Sequence, residues 1–112
     1  KLLDLFDVTT AKSFDEGKLN LIDNKQIDFI EFVGRTRTNN GIKGYIKKLK
    51  IEPNLENTIS VSQIGTIVAQ IRSKKWYASQ NIFILSPKQN YEKLISLYSS
   101  SAINKSLRGT FS

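Results

Sequence analysis

Arginine, threonine and asparagine side chains follow one another in the segment GRTRTNNG, residues 34–41. Arginine can donate a pair of hydrogen bonds to the major-groove edge of guanine, and asparagine can form the equivalent pair with adenine. A threonine hydroxyl can bind phosphate, and its methyl group can contact that of thymine. The candidates for base contact are Arg35, Thr36, Arg37, Asn39 and Asn40. An ordinary polar surface loop has a similar composition, so composition alone leaves both interpretations open.

A second group of basic and aromatic residues lies in the segment IRSKKWYASQN, residues 71–81. Arg72, Lys74 and Lys75 surround a predicted turn, and Trp76 and Tyr77 follow it. Cations neutralise phosphate, and an aromatic ring can stack on an exposed base. The alternative is a β-hairpin with a solvated basic tip whose tryptophan packs in the core, because tryptophan is usually largely buried.

Lysines follow the first segment closely. Lys43, Lys47, Lys48 and Lys50 lie in the run IKGYIKKLK. Because lysine carries a point charge with little power to distinguish bases, these residues are predicted to contact phosphate. A solvated strand edge, where lysines discourage aggregation, is the alternative.

The two signs of charge are segregated along the 112-residue chain, whose net charge is +7. Residues 1–31 carry a net charge of −3, whereas residues 32–112 carry +10. A modest excess of charge is enough for solubility and does not require this segregation. The distribution therefore favours a face that binds a polyanion.

Several classes of function are excluded or disfavoured by composition. The chain contains neither histidine nor cysteine, which excludes Ser-His triads, Cys-His dyads and most zinc sites. It also lacks a phosphate-binding G-x-x-x-x-G-K-[ST] motif and carboxylates at metal-binding spacing. We therefore predict no catalytic residues, no metal and no cofactor in this chain. No apolar run approaches the length of a membrane span.

Strands are predicted to position these residues. Short runs with alternating or mainly apolar residues are LLDLFDVTT, LNLIDNKQ, IDFIEFVGRT, IKGYI, TISVSQIG, TIVAQIR and NIFILS. IDFIEFV is apolar on both faces, which predicts a strand near the centre of a sheet. Gly65, between TISVSQIG and TIVAQIR, predicts a bulge or a corner.

The apolar period changes near the end of the chain. Tyr91, Leu94, Ile95 and Tyr98 fall on one helical face, and Asn90 is a candidate N-cap. The patterns together predict an α+β fold, namely a twisted, mostly antiparallel β domain with one or two C-terminal helices. We expect residues 1–112 to form a single domain. Because the chain contains no methionine, even at position 1, we expect it to be a piece of a longer protein.

Several segments resemble the DNA target recognition domains of type I restriction specificity (S) subunits and of BcgI-like restriction-modification proteins. LFDVTTAKSFDEGKL is similar to the opening of these domains, and FVGRTRTNNGIKGYI resembles a central segment with RT, NNGI and GY. NTISVSQIGTIVAQIRSKKWYASQNIFILSP and LISLYSSSAINKSLRG resemble later parts. The resemblance covers essentially the whole chain.

This resemblance implies a module that reads one half of a bipartite DNA sequence. It also implies the twisted β fold with flanking helices of the type I S subunit and of the TaqI-like recognition domain. Methylation and cleavage would then belong to methyltransferase and restriction subunits, or domains, of the same system. The expected location is the cytoplasm. The contact residues themselves do not carry over, because they differ most among members.

Two other functions stay open at this point. One is general binding of single-stranded nucleic acid, with Trp76 and Tyr77 as a stacking platform. The other is binding of an acidic protein through the basic face. Exposed, adjacent Trp76 and Tyr77 would favour the first of these. Burial of both, together with Arg35, Arg37 and Lys74 lining one concave face, would favour recognition of double-stranded DNA.

Overall fold

The computed structural model describes residues 2–88. Its strands are β1 (Phe6–Thr10), β2 (Phe29–Val33), β3 (Ile42–Lys47), β4 (Thr58–Ile64), β5 (Thr66–Arg72), β6 (Trp76–Ala78) and β7 (Phe83–Pro87). An antiparallel four-stranded sheet has the order β1-β7-β4-β5. A three-stranded sheet has the order β3-β2-β6, in which β2 is antiparallel to β3 and parallel to β6.

Helical structure in residues 2–88 is limited to short 3₁₀ segments at Leu2–Leu5, Glu16–Lys18 and Thr38–Gly41. The predicted α+β class is therefore wrong, because the described chain folds into β-sheets with these turns between them. The apolar runs in this part of the sequence follow the strand period of two, which buries one or both faces of a sheet. The C-terminal helices predicted from Asn90 onward lie outside the described residues.

The two sheets meet across a hydrophobic core centred on Trp76. Val33, Trp76 and Ala78 of the three-stranded sheet pack with Ala11 and Ile82. Ile84 of β7 packs against the same cluster. The indole nitrogen of Trp76 donates a hydrogen bond of 3.1 Å to the Thr58 hydroxyl on β4, so this buried polar group is satisfied. The core thus fixes the position of β2, and of the loop that follows it, relative to the four-stranded sheet.

Tyr77 packs on the opposite face of the three-stranded sheet, in a cluster with Phe32 and Ile46. Its ring meets that of Phe14 edge to face, with 5.4 Å between the ring centroids. Its hydroxyl accepts a hydrogen bond from the Leu49 amide at 2.9 Å and donates one to the Ile51 carbonyl at 2.7 Å. Tyr77 therefore anchors the chain that leaves β3.

The strand predictions have mixed outcomes. β2 lies at the centre of its sheet, as predicted. Gly65, with a φ of 72°, is the turn of a hairpin between β4 and β5, so the predicted bulge or corner is wrong. The segment LNLIDNKQ forms no strand and contributes only a bridge between Ile22 and Tyr45. The hairpin considered for residues 71–81 is also wrong, because β6 pairs with β2 in the other sheet.

A candidate nucleic-acid interface

The basic loop, which we define as residues 34–41, joins β2 to β3. A hydrogen bond of 2.9 Å from the Gly34 amide to the Gly41 carbonyl closes its base. Asn39 and Asn40 have φ angles of 49° and 53°, in the left-handed region. Asparagine occupies this region more readily than most residues do. The Asn-Asn-Gly sequence therefore forms the turn that leads into β3.

The loop is held against β5, one of the two edge strands of the four-stranded sheet. The Gln70 side chain donates a hydrogen bond of 3.0 Å to the Thr36 carbonyl. The Asn40 side chain donates one of 3.2 Å to the Ile71 carbonyl. The Arg72 guanidinium in turn donates to the Asn40 carbonyl. Because the loop covers an edge that would otherwise expose unpaired backbone groups, it is part of the sheet's packing and is fixed in place.

Gly41 makes this close approach possible. Its φ is 81°, and a Cβ atom at this position would lie 2.4 Å from the Gln70 side-chain oxygen. A side chain would therefore meet both backbone strain and a collision. The glycine in the NNGI segment serves the docking of the loop on β5.

The structure buries some of the predicted contact residues. Arg72 and Trp76 are 0% exposed and Tyr77 is 1% exposed. Arg72 lies under the basic loop, and the two aromatic residues pack on either face of the three-stranded sheet. A direct contact of these three side chains with DNA does not fit this burial. Their place in the fold is to position the basic loop and the sheet that carries it.

The exposed side chains of the basic loop differ in how far they are already engaged. Arg37 donates a hydrogen bond to the Thr66 hydroxyl, next to the β4–β5 turn. The hydroxyls of Thr36 and Thr38 are 2.8 Å apart and bonded to each other. Asn39 donates to the Ile42 carbonyl at 3.4 Å. Arg35 is exposed and, within residues 2–88, forms no hydrogen bond or ion pair. Its guanidinium donors therefore remain available for a ligand.

Lys43, at the start of β3, lies beside Arg35. The two side chains line a cleft of about 300 Å³ whose other wall includes Asp15 and Glu16. The Lys43 stem crosses Gly34 so closely that a Cβ atom there would lie 2.6 Å from the Lys43 Cγ. The acidic side chains partly offset the positive potential in this cleft. The cleft therefore favours a polyanion less than the exposed part of the basic loop does.

Two of the remaining predicted lysines lie at the end of β3 that is far from the basic loop. Lys47 is the last of the six residues of β3, and Lys48 follows it. At about 3.3 Å per residue, the two ends of this strand are roughly 17 Å apart. We call the following residues the lysine group: Lys47, Lys48, Lys50, Lys74 and Lys75. All five side chains are exposed.

One member of the lysine group is paired. The Lys48 amine lies 2.7 Å from a Glu52 carboxylate oxygen. This hydrogen bond raises the pKa of Lys48 and lowers the pKa of Glu52. The charge of Lys75 lowers the pKa of Glu52 further, which places Lys75 near the same carboxylate. An exposed pair of this kind contributes little to stability, but it reduces the net charge that Lys48 offers to a phosphate.

No cluster of three or more His, Cys, Asp or Glu side chains among residues 2–88 could hold a metal ion. Likewise, no helix in this part of the chain is long and apolar enough to cross a membrane.

Sequence reasoning missed residues that hold or extend the interface. Gln70 reads as one polar position of an alternating strand, and only the fold reveals that it anchors the Thr36 carbonyl. Gln63 is an exposed polar residue of an alternating strand, and Asn81 is the last residue of the segment IRSKKWYASQN. Neither was a predicted contact residue, yet both line a groove with Arg35. Nothing in the local sequence brings residues 35, 63 and 81 together.

Comparison with known proteins gives one match. A family model described as "Type I restriction modification DNA specificity domain" matches residues 1–112. No curated protein and no solved structure matches the chain.

Proposed function

The chain belongs to the family of type I restriction modification DNA specificity domains, and from this premise we propose that it recognises a specific double-stranded DNA sequence. We propose further that this sequence is one half of a bipartite target. Membership confirms the resemblance to type I specificity subunits, while the BcgI-like part of that resemblance stays a prediction.

The observation that carries the proposal is the firm attachment of the basic loop to β5. Gln70 and Arg72 bind the loop's backbone carbonyls from below, and the Arg35 side chain is exposed above. Recognition of a base edge costs less conformational entropy when the backbone that carries the donor is already held in place. The loop supplies such an arrangement at the surface of a rigid sheet.

The exposed side chains divide by chemistry into base readers and phosphate binders. Arginine can form paired hydrogen bonds with guanine, so Arg35 and Arg37 are proposed to contact base edges together with Asn39 and Asn40. To do so, the two asparagine side chains would give up their bonds to the Ile42 and Ile71 carbonyls. Thr36, half-buried at the base of the loop, is proposed to support them or to bind phosphate. Arg37 would exchange its bond to Thr66 for one to a base, which makes Arg35 the more readily available reader. Lys43 and the lysine group are proposed to bind phosphate.

We place methylation and cleavage in other subunits or domains of the same restriction-modification system. The chain would act with those methyltransferase and restriction components as a non-catalytic DNA-binding part, without a cofactor of its own. A location in the cytoplasm, where such a system meets DNA, stays part of the proposal.

Binding of single-stranded nucleic acid is the alternative function that the sequence left open. Its proposed platform, Trp76 and Tyr77, is buried on the two faces of the three-stranded sheet. Stacking of a base on either ring would require disruption of the core. Burial of these rings therefore disfavours the single-strand alternative.

We expect the affinity of the chain for duplex DNA to fall steeply with salt concentration. Each phosphate contact should contribute about −0.9 to the slope of log affinity against log salt, because binding releases condensed counterions. Fluorescence anisotropy with labelled duplexes over a salt series measures this slope.

Replacing single lysines shows which surface of the chain is responsible for the salt dependence of DNA binding. Lys74→Ala, in the lysine group, should reduce its magnitude by about one contact. Lys25→Ala removes an exposed lysine from the acidic first part of the chain and should leave the slope unchanged. An affinity that stays constant over the salt series, or a stronger affinity for single strands than for duplexes, would overturn the proposal.

A further inference from the structure

A groove of about 630 Å³ lies beside the basic loop. It is bordered by the β4–β5 turn, the segment before β7 and Arg35. Its polar rim includes Arg35, Gln63 and Asn81, and its apolar part includes Val61 and Phe83. The groove thus joins the basic loop to residues on two other connections of the fold.

The three polar side chains on the rim have the chemistry of base readers. Arginine can bond guanine in a bidentate manner, and glutamine and asparagine can do the same with adenine. Gln63 and Asn81 are exposed, as Arg35 is. Within residues 2–88, none of the three side chains forms a hydrogen bond with the protein. Their donors and acceptors therefore face the groove without a protein partner in the described part of the chain.

The apolar part of the groove lies on two paired strands. Val61 on β4 and Phe83 on β7 are direct neighbours in the sheet register. Val61 is buried, whereas Phe83 is 38% exposed. An exposed apolar surface next to amide and guanidinium groups suits a base edge, because a thymine methyl needs an apolar contact. Side chains on strands are also held more precisely than side chains on a free loop.

We propose that Gln63 and Asn81 determine sequence specificity together with Arg35, by contacting base-pair edges of duplex DNA that lies along this groove. The inference rests on the proposed function and extends it from one loop to the end of β4 and the segment before β7. It assigns roles to two residues that were not among the contact residues predicted from the sequence.

An asparagine at position 81 could serve only the backbone conformation, and the experiment must distinguish this role from base contact. Its φ is 60°, and asparagine is favoured at such positions for the backbone alone. Asn57 provides a matched control, because it is an exposed asparagine with a φ of 61° just before β4. Asn57 precedes the first residue of β4, whereas Gln63 of the groove lies near its last. The control position is therefore separated from Gln63 by about the length of that strand.

The test is selection of bound duplexes from a randomised duplex library by the full chain, followed by sequencing. The variants are Gln63→Ala and Asn81→Gly, since glycine keeps the left-handed backbone and removes only the side chain. Each should lose about tenfold discrimination at one base pair. The salt slope should not change, because neither replacement removes a charge. Asn57→Gly and Gln26→Ala, both at exposed positions away from the groove, should select the unchanged sequence.

A third variant tests the proposed contact between Gln63 and a base edge by a replacement of nearly the same shape. Gln63→Glu keeps the shape of the side chain but can only accept hydrogen bonds, so its preferred base pair should shift toward one whose cytosine donates. If Gln63 and Asn81 variants all select the original sequence, the inference falls while the proposed function stands. If the unaltered chain selects no sequence from the library, the proposed function itself falls.

Discussion

Replacing Trp76 with alanine is expected to lower the free energy of unfolding by about 3–5 kcal/mol. The side chain is 0% exposed, joins the core between the two sheets and donates a hydrogen bond to Thr58. A domain of this size typically has about 5–15 kcal/mol in total, so the variant should be largely unfolded at moderate denaturant concentration. Urea unfolding followed by circular dichroism measures the change.

Trp76→Phe is the matched variant for this prediction. It keeps an aromatic ring in the core and should retain most of the stability and the duplex affinity. Trp76 is also the only tryptophan of the chain, so intrinsic fluorescence reports its surroundings directly. Its emission should stay unchanged when single-stranded oligonucleotide is added. Quenching of that emission, with Trp76→Ala as stable as the unaltered chain, would show an exposed stacking platform instead.

Replacing Arg72 with methionine is expected to lower the free energy of unfolding by about 2–3 kcal/mol. Methionine fills similar space but cannot donate, so the part-buried Asn40 carbonyl loses the charged donor that binds it. The basic loop would keep its hydrogen bonds through Gln70 and the Asn40 side chain. We therefore expect a folded chain with a less well-fixed loop, and weaker discrimination among duplex sequences.

The salt dependence of binding distinguishes a positioning role from a phosphate contact for Arg72. A fully buried side chain cannot contact phosphate, so Arg72→Met should keep the salt slope of the unaltered chain. Arg35→Met makes the same chemical change at an exposed position and should leave stability nearly unchanged. A salt slope reduced by one contact in Arg72→Met, with unchanged stability, would show that Arg72 binds phosphate directly.

Much of the sheet structure could be predicted from local patterns. Alternating apolar residues located β4 and β5, and the apolar run of β2 indicated its central place. The hairpin turn at Gly65 was missed because one residue between two similar strands leaves the alternating pattern almost unbroken. The parallel pairing of β6 with β2 was missed because it joins segments more than forty residues apart in sequence, and no local signal specifies such a partner.

The candidate site could be predicted only in part, for the same physical reason. Composition located the basic loop, and the Asn-Asn-Gly turn followed from backbone preferences. Burial of Arg72 could not be inferred, because an arginine beside two exposed lysines reads as a surface residue until the loop is known to cover it. The groove residues Gln63 and Asn81 come together only through the order of the strands.

The central claim is that the basic loop distinguishes base pairs while the lysine group supplies charge. The most direct measurement compares Arg35→Ala and Lys74→Ala on the selected duplex and on duplexes with single base-pair changes, at one fixed salt concentration. Arg35→Ala should cost about 1–3 kcal/mol on the selected duplex and should relax the preference at one position. Lys74→Ala should weaken binding to every duplex by about the same factor. If Arg35→Ala also weakens every duplex by one common factor, the basic loop binds only phosphate and the account is wrong.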